Sequence, residues 1–235
     1  MFNRPTFTRA AAVLFGVVAS FSIAHAQAPA AANFEEGKNY FLIEPAQPGG
    51  TDGKIEVTEI FSYACPACNA FQPTINKLRK ELPANAVMVY LPASFRPDED
   101  WPVFQRAYYT AQALGIVDKS HDATFDAVWK DTDSKLRISD AVTHQPIKPM
   151  PTIEDVAQFF TKFGVKAEDV VATANSFAIN AKMKRADAML KAYGVDSTPT
   201  LVVAGKYRVT VTSAGSIDQL IPLVKYLVAR ESAGK

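Results

Sequence analysis

Apolar and polar positions alternate with two different periods along the chain, and the switches between them mark its elements. β-Branched and aromatic residues crowd Asn39–Ile43 and Ile55–Phe61, the composition of strands, with the Pro/Gly-rich turn Pro45–Gly53 between them. From Pro66 the period changes. Phe71, Ile75, Leu78 and Leu82 recur at i, i+4, i+7 and i+11, which predicts a helix over Pro66–Leu82 with one apolar face. Pro66 suits its first turn, whereas Pro73 lacks the N–H that would bond the Asn69 carbonyl and should bend it. Val87–Leu91 reads as a further strand, and no strand pattern follows until Thr200. Helical stripes fill the interval: Phe104, Ala107, Tyr108, Ala111 and Leu114, then Val156, Phe159, Phe160 and Phe163, then Ile179, Met183, Ala186, Leu190 and Tyr193, ending at Gly194. Asp131–Pro151, with three prolines, reads as loop. Thr200–Val203 and Lys206–Val211 about Ala204-Gly205 predict a hairpin. A last helix carries Ile217, Leu220, Ile221, Val224, Leu227 and Val228 on one stripe, its first turns distorted by Pro222. The order describes one α/β domain interrupted by a helical insertion.

The N-terminus changes the compartment. Arg4 and Arg9 precede the apolar run Ala10–Ile23, and Ala24-His25-Ala26 has the small-x-small pattern of a signal peptidase site. Fourteen apolar residues span about 21 Å of helix, short of a roughly 30 Å hydrocarbon core, so a cleaved secretory signal is the reading rather than an anchor. Cleavage after Ala26 removes 26 of the 235 residues and leaves 209, and loss of Arg4 and Arg9 takes the formal charge from +1 to −1. Neither value implies attraction to nucleic acid or an anionic membrane. Residues 27–38, rich in alanine at their start, read as a flexible lead-in, with order expected from near Tyr40. Nothing after residue 26 has the length and apolarity of a transmembrane helix.

Two cysteines, Cys65 and Cys68, stand in a chain sent to a compartment where disulfides persist. As a staple they would contribute little, because a four-residue loop restrains the unfolded chain by about 2 kcal/mol against about 4.7 for a hundred-residue loop. Their position carries chemistry instead. A strand that delivers Cys65 to a helix N-terminus exposes its sulfur to unpaired N–H groups and the positive end of the helix dipole, favouring thiolate. Cys65 is then the attacking sulfur and Cys68, one turn on, the buried resolving partner. A Cys65 pKa of about 5 would favour the reduced form by roughly 2.7 kcal/mol at pH 7, about 60 mV towards oxidant. The C-x-x-C spacing also occurs in metal sites, but no other cysteine exists and His121 and His144 are the histidines left after cleavage.

Glu59-Ile60-Phe61-Ser62-Tyr63-Ala64-Cys65-Pro66-Ala67-Cys68, the long helix beginning near Asn175-Ser176-Phe177, and Gly194-Val195-Asp196-Ser197-Thr198-Pro199-Thr200 resemble the thioredoxin superfamily and, more narrowly, the DsbA family. The resemblance covers essentially the whole mature chain. It implies a thioredoxin-like fold (39–96 and 194–235) with an inserted all-helical domain (97–193), and a periplasmic thiol–disulfide oxidoreductase without a cofactor beyond the Cys65–Cys68 disulfide. It implies as partners exported, partly folded proteins with free cysteines and a membrane quinone-linked oxidase of DsbB type, and a monomer. By the same resemblance Pro199 should be cis and lie against the pair, with the Thr198 backbone free to pair with a substrate strand. Glu59 holds the place of a buried acid that assists proton transfer at Cys68. The sequence departs from the family twice: Ala67 stands where a histidine is familiar, and Val87–Leu91 has no lysine to partner Glu59, leaving Tyr90 as a candidate hydrogen-bond donor or a plain core residue.

Three functions compete at this level: a disulfide donor, a reductase or isomerase of the same fold, for which Ala67 speaks, and a metal module using the cysteines as soft ligands. Phe61, Tyr63 and Phe95 are candidates for an apolar substrate groove. Trp101 and Trp129 read as core, Lys182, Lys184 and Arg185 as a solvated helix face, and His121 and His144, each alone in a polar or loop stretch, receive no role.

Overall fold

The computed structural model describes residues 1–2, 33–140 and 142–234, so the signal segment, its cleavage site after Ala26 and the start of the lead-in lie outside the described residues. The elements are β1 (Phe41–Leu42), β2 (Gly50–Thr51), β3 (Lys54–Phe61), α1 (Pro66–Glu81), β4 (Ala86–Pro92), α2 (Trp101–Ala113), α3 (Val117–Trp129), α4 (Ile153–Phe160), α5 (Ala167–Ala174), α6 (Phe177–Ala192), β5 (Thr200–Val203), β6 (Tyr207–Thr210), α7 (Val211–Ala214) and α8 (Ile217–Ala233). The strands form one sheet in the order β1-β6-β5-β3-β2, with β4 also on β3. β3 pairs parallel to β4, from Ile55↔Ala86 to Phe61↔Pro92, and antiparallel to β5, from Val57↔Val203 to Ile60↔Thr200. β3 is therefore central, buried from Val57 onward, and ends directly before the cysteines.

Each element follows from its local chemistry. α1 buries Cys68, Phe71, Ile75 and Leu78 on one face, carries Pro66 at its start and runs on through Pro73 until Leu82 turns extended. Arg79 and Lys80 lie in its last turn, where cations complement the dipole. α6 starts at Ser176, whose hydroxyl accepts from the Ile179 N–H, and α4 starts at a reciprocal Thr152/Asp155 capping box.

Some expectations need correction. Order begins before Tyr40: the Phe34 ring packs 5.5 Å from Tyr226, and the Glu35 N–H donates to Asn39 Oδ1, so the end of the lead-in is held by an aromatic contact and a turn. The first strand shrinks to Phe41–Leu42, while the turn between the strands contains β2, which forms a two-residue hairpin with β3 around Asp52-Gly53. The described residues from 33 onward behave as one compact unit. One apolar cluster joins Phe104, Tyr108, Phe125, Phe160 and Leu190 of the inserted helices to Phe61, Tyr63, Cys65 and Cys68. A second gathers Val57, Leu201 and Val203 of the sheet with α1 and α8.

The loop before β2 lies on the β5–β6 turn. A methyl at Gly49 would sit 1.9 Å from the Ala204 carbonyl carbon, and one at Gly205, where φ is +65°, 2.2 Å from the Gln47 carbonyl oxygen. Gly205→Ala should therefore destabilise the fold by on the order of 2 kcal/mol and lower Tm by roughly 4–8 °C. Thermal denaturation reads this directly, and an unchanged Tm would mean that the loop does not rest on the hairpin.

Candidate active site

The turn after β3 is pinned from three sides. The Ser62 carbonyl accepts from the Cys65 N–H, the Ser62 hydroxyl accepts from the Ala64 N–H, and Trp129 Nε1 donates to the Tyr63 carbonyl at 2.8 Å. Cys65 is itself the N-cap of α1: extended, with its Sγ accepting from the Cys68 N–H at 3.3 Å. Both thiols are free and both residues are buried, at 5% and 0% exposure. The Thr198-Pro199 peptide is cis, and Cys65 Sγ lies 3.6 Å from the Thr198 carbonyl oxygen, where the thiol can donate. β3, α1 and the segment before β5 thus converge on one sulfur.

The two sulfurs differ electrostatically. A hydrogen bond from the Cys68 thiol is the largest influence on Cys65, and with the N–H groups of Cys68 and Ala67 it outweighs burial and brings the Cys65 pKa down to about 6. Burial is the main cause that pushes Cys68 well above the ordinary thiol range, reinforced by Cys65 and by Glu59. The helix N-terminus was legible from the sequence; the contribution of the partner thiol was not, because it depends on a rotamer.

Glu59 lies at 1% exposure on the same face of β3 as Val57, with neither carboxylate oxygen hydrogen-bonded to any described residue. Burial above all, then the charges of Cys65 and Asp122, raises its pKa to about 8. Burial thus favours its neutral carboxylic acid at neutral pH, and its charge is among the influences on Cys68. Tyr90 is its register partner on β4, but the Tyr90 hydroxyl has no hydrogen-bond partner among the described residues, so it does not replace the missing lysine by a direct bond.

The groove assignment is corrected. Phe61 and Tyr63 are fully buried, Phe61 within ring contact of Tyr63, Tyr90, Tyr108, His121 and Phe125, because the inserted helices cover the end of β3. Phe95 packs half-buried on Trp101, 6.0 Å between rings. The surface that reaches Thr198 is instead a groove of about 400 Å³ lined by Ala67, Phe71, Thr198, Pro199, Val211 and Ile217, with Ile217 50% exposed. The exposed apolar residue opening α8, just after Ser216, was the available signal for it. Pro66 and Ala64 border a second cavity on which His144 and Trp129 also lie. Trp101 is core. His121, though in a polar stretch of sequence, is buried on α3 among aromatic rings. Lys182 donates to Gln112 Oε1, and Lys184 and Arg185 face solvent. Among the described residues no three His, Cys, Asp or Glu side chains converge as a metal site.

The profile of the DSBA-like thioredoxin domain matches residues 56–224, which contain the pair, Glu59 and Thr198-Pro199. The chain belongs to this family. The thiol:disulfide interchange protein DsbA of Pseudomonas aeruginosa is 35% identical over 95% of this chain and 93% of its own length, and that of Pseudomonas syringae is 34% identical over 95% and 92%. The crystal structure of P. aeruginosa DsbA matches with a TM-score of 0.71 at 35% identity over 86% of this chain and 96% of that one. DsbA from Xylella fastidiosa matches with a TM-score of 0.71 at 30% identity over 84% and 97%. The fold is thus the DsbA-type thioredoxin fold with its helical insertion, and the chain is a thiol–disulfide oxidoreductase.

Proposed function

We propose that the chain donates its Cys65–Cys68 disulfide to exported proteins during oxidative folding in the periplasm. A substrate thiolate held along the Thr198 backbone and the adjoining groove attacks Cys65 Sγ. The Cys65–Cys68 bond breaks, Cys68 leaves with the electron pair and takes the proton of Glu59, and a mixed disulfide remains. A second substrate thiolate then attacks the substrate sulfur of that disulfide and releases Cys65 as a thiolate. No cofactor is needed beyond the pair. A membrane quinone-linked oxidase of DsbB type accepts the two electrons, and the mature monomer begins after Ala26.

The observation that carries this reading is the asymmetry of the pair, with Cys65 drawn down to about 6 while Cys68 is pushed up. Relative to an ordinary thiol, a pKa near 6 favours the reduced form by about 1.4 kcal/mol at pH 7, about 30 mV towards oxidant. The sign follows from the depressed pKa: the advantage is complete above the ordinary thiol pKa and is lost as pH falls through about 6. Ala67 supports the second reading, a reductase or isomerase, because no charge at that exposed position adds to the thiolate's stabilisation. Redox equilibrium with glutathione at pH 7 decides between them. A potential well above that of the glutathione pool supports the donor, and one near thioredoxin's supports the alternative. In the same assay Ala67→His should raise the potential by about 30 mV for each unit by which the new cation lowers the Cys65 pKa.

A further inference from the structure

Several buried polar atoms on the elements around the pair have no hydrogen-bond partner among the described residues: both oxygens of Glu59, Gln72 Oε1, the Tyr90 hydroxyl and His121 Nε2. They come from β3, α1, β4 and α3, and Gln72 is tied to α3 through its amide, which donates to Asp122. Tyr90 stands opposite Glu59 in the β3–β4 register, and the His121 ring lies 4.6 Å from the Tyr90 ring. His121 Nδ1 is 2.9 Å from the Tyr63 hydroxyl, which orients the imidazole. Tyr90 and His121 also line a cavity of about 210 Å³ whose other walls include Tyr108 and the exposed Arg79 and Asp118. Unpaired buried polar atoms on the wall of a cavity of this size are the conditions under which proteins hold ordered water.

We propose that Tyr90 and His121, with water between them, form the passage through which Glu59 exchanges its proton with solvent. The inference rests on the reaction proposed above, in which Glu59 gives its proton to Cys68 in each turnover and must recover it. Donation converts Cys68 thiolate and Glu59 acid into Cys68 thiol and Glu59 carboxylate. A proton from the cavity then moves along water held at His121 Nε2 and the Tyr90 hydroxyl to restore the acid, and reoxidation of the pair sends one back out. The route past Cys65 is blocked while substrate occupies the mouth of the site, and Phe61 packed with Tyr63, Tyr108 and Phe125 closes another side. The ionisable groups facing Glu59 are Cys65 and Cys68 of α1, Tyr90 of β4, Tyr108 of α2 and Asp122 of α3, the last held by Gln72 and Asn76. Burial holds the His121 pKa down to about 3, so the ring stays neutral, and with Nδ1 on the Tyr63 hydroxyl its Nε2 orders water rather than carrying the proton itself. Tyr90 and His121 act through Glu59 and are positioning residues rather than catalytic ones.

The test is rapid-mixing reduction of the full oxidised mature chain by a dithiol peptide at pH 8.5, where Glu59 must regain its proton, in H2O and in D2O. Tyr90→Phe keeps the ring and removes the hydroxyl. It should slow the reaction by about tenfold and enlarge the solvent isotope effect. The same substitution placed in a Glu59→Gln background should change neither quantity, and His121→Gln should repeat the pattern if Tyr90→Phe folds poorly. Wild-type rates and isotope effects in Tyr90→Phe and His121→Gln, or an equal slowing in the Glu59→Gln background, overturn the passage. Failure of the donor reading is separate, since it appears in the wild-type potential.

Discussion

Cys65→Ala is expected to reduce dithiol oxidation to the uncatalysed rate, whereas Cys68→Ala should accumulate a mixed disulfide with substrate. The two outcomes differ because the sulfurs do. With a pKa of about 6, Cys65 is about 90% thiolate at pH 7, against about 1% for a thiol at 9, so it is both the attacking sulfur and the better leaving group. Cys68, fully buried and raised by burial, reaches only the sulfur beside it. Without Cys65 no mixed disulfide forms, and without Cys68 none is resolved internally. Non-reducing gels of protein recovered with its substrates show the trapped species, and a dithiol peptide assay gives the rates. Wild-type rates in both variants would place the chemistry elsewhere.

Glu59→Leu should make the protein more stable and a poorer catalyst. The carboxyl is raised from 4.5 to about 8, chiefly by burial. A raised pKa means that its contribution is fully present below 4.5, where both states are protonated. It is lost as pH rises through the window to about 8, because the unfolded chain releases the proton first. At pH 7 the native state carries a penalty of about 3 kcal/mol, and removing it should raise Tm by roughly 6–12 °C, with little gain at pH 4. Exchange should slow, since Cys68 loses its proton donor. Thermal melts at pH 4 and pH 7 test the first half. An equal change in Tm at both would mean that Glu59 is not held neutral by the fold.

The helix after the cysteines was readable because its buried positions are apolar and evenly spaced, and the C-terminal hairpin because β-branched residues flank Ala204-Gly205. α3 was not. Its buried face is made of Ser120, His121, Thr124, Phe125, Ala127 and Val128, too polar to print a hydrophobic stripe, and it folds because the aromatic cluster around Phe61 receives it. β2 was hidden for a different reason. Gly50 has little strand propensity and Thr51 alone prints no strand pattern, and the two pair only because Asp52 and Gly53, both at positive φ, turn the chain back on β3.

By itself the sequence determined the chemistry: two cysteines at helix-start spacing after a buried strand, an acid six residues before, and Thr198-Pro199 ahead of a later strand. The cysteine reading rests on local facts, backbone N–H groups, residue type and periodicity, whereas the parts of Glu59 and Thr198-Pro199 came from resemblance to the family. Only the tertiary structure decided which side chains face the sulfur and which face away. It buried Phe61 and Tyr63 under the inserted helices, assembled the groove from α1, the Thr198 segment and the start of α8, and left the Glu59 carboxyl, the Tyr90 hydroxyl and His121 Nε2 without hydrogen-bond partners among the described residues, with Tyr90 and His121 on the wall of one cavity. Orientation and desolvation depend on residues distant in the chain, and no period in the sequence encodes which of them will meet.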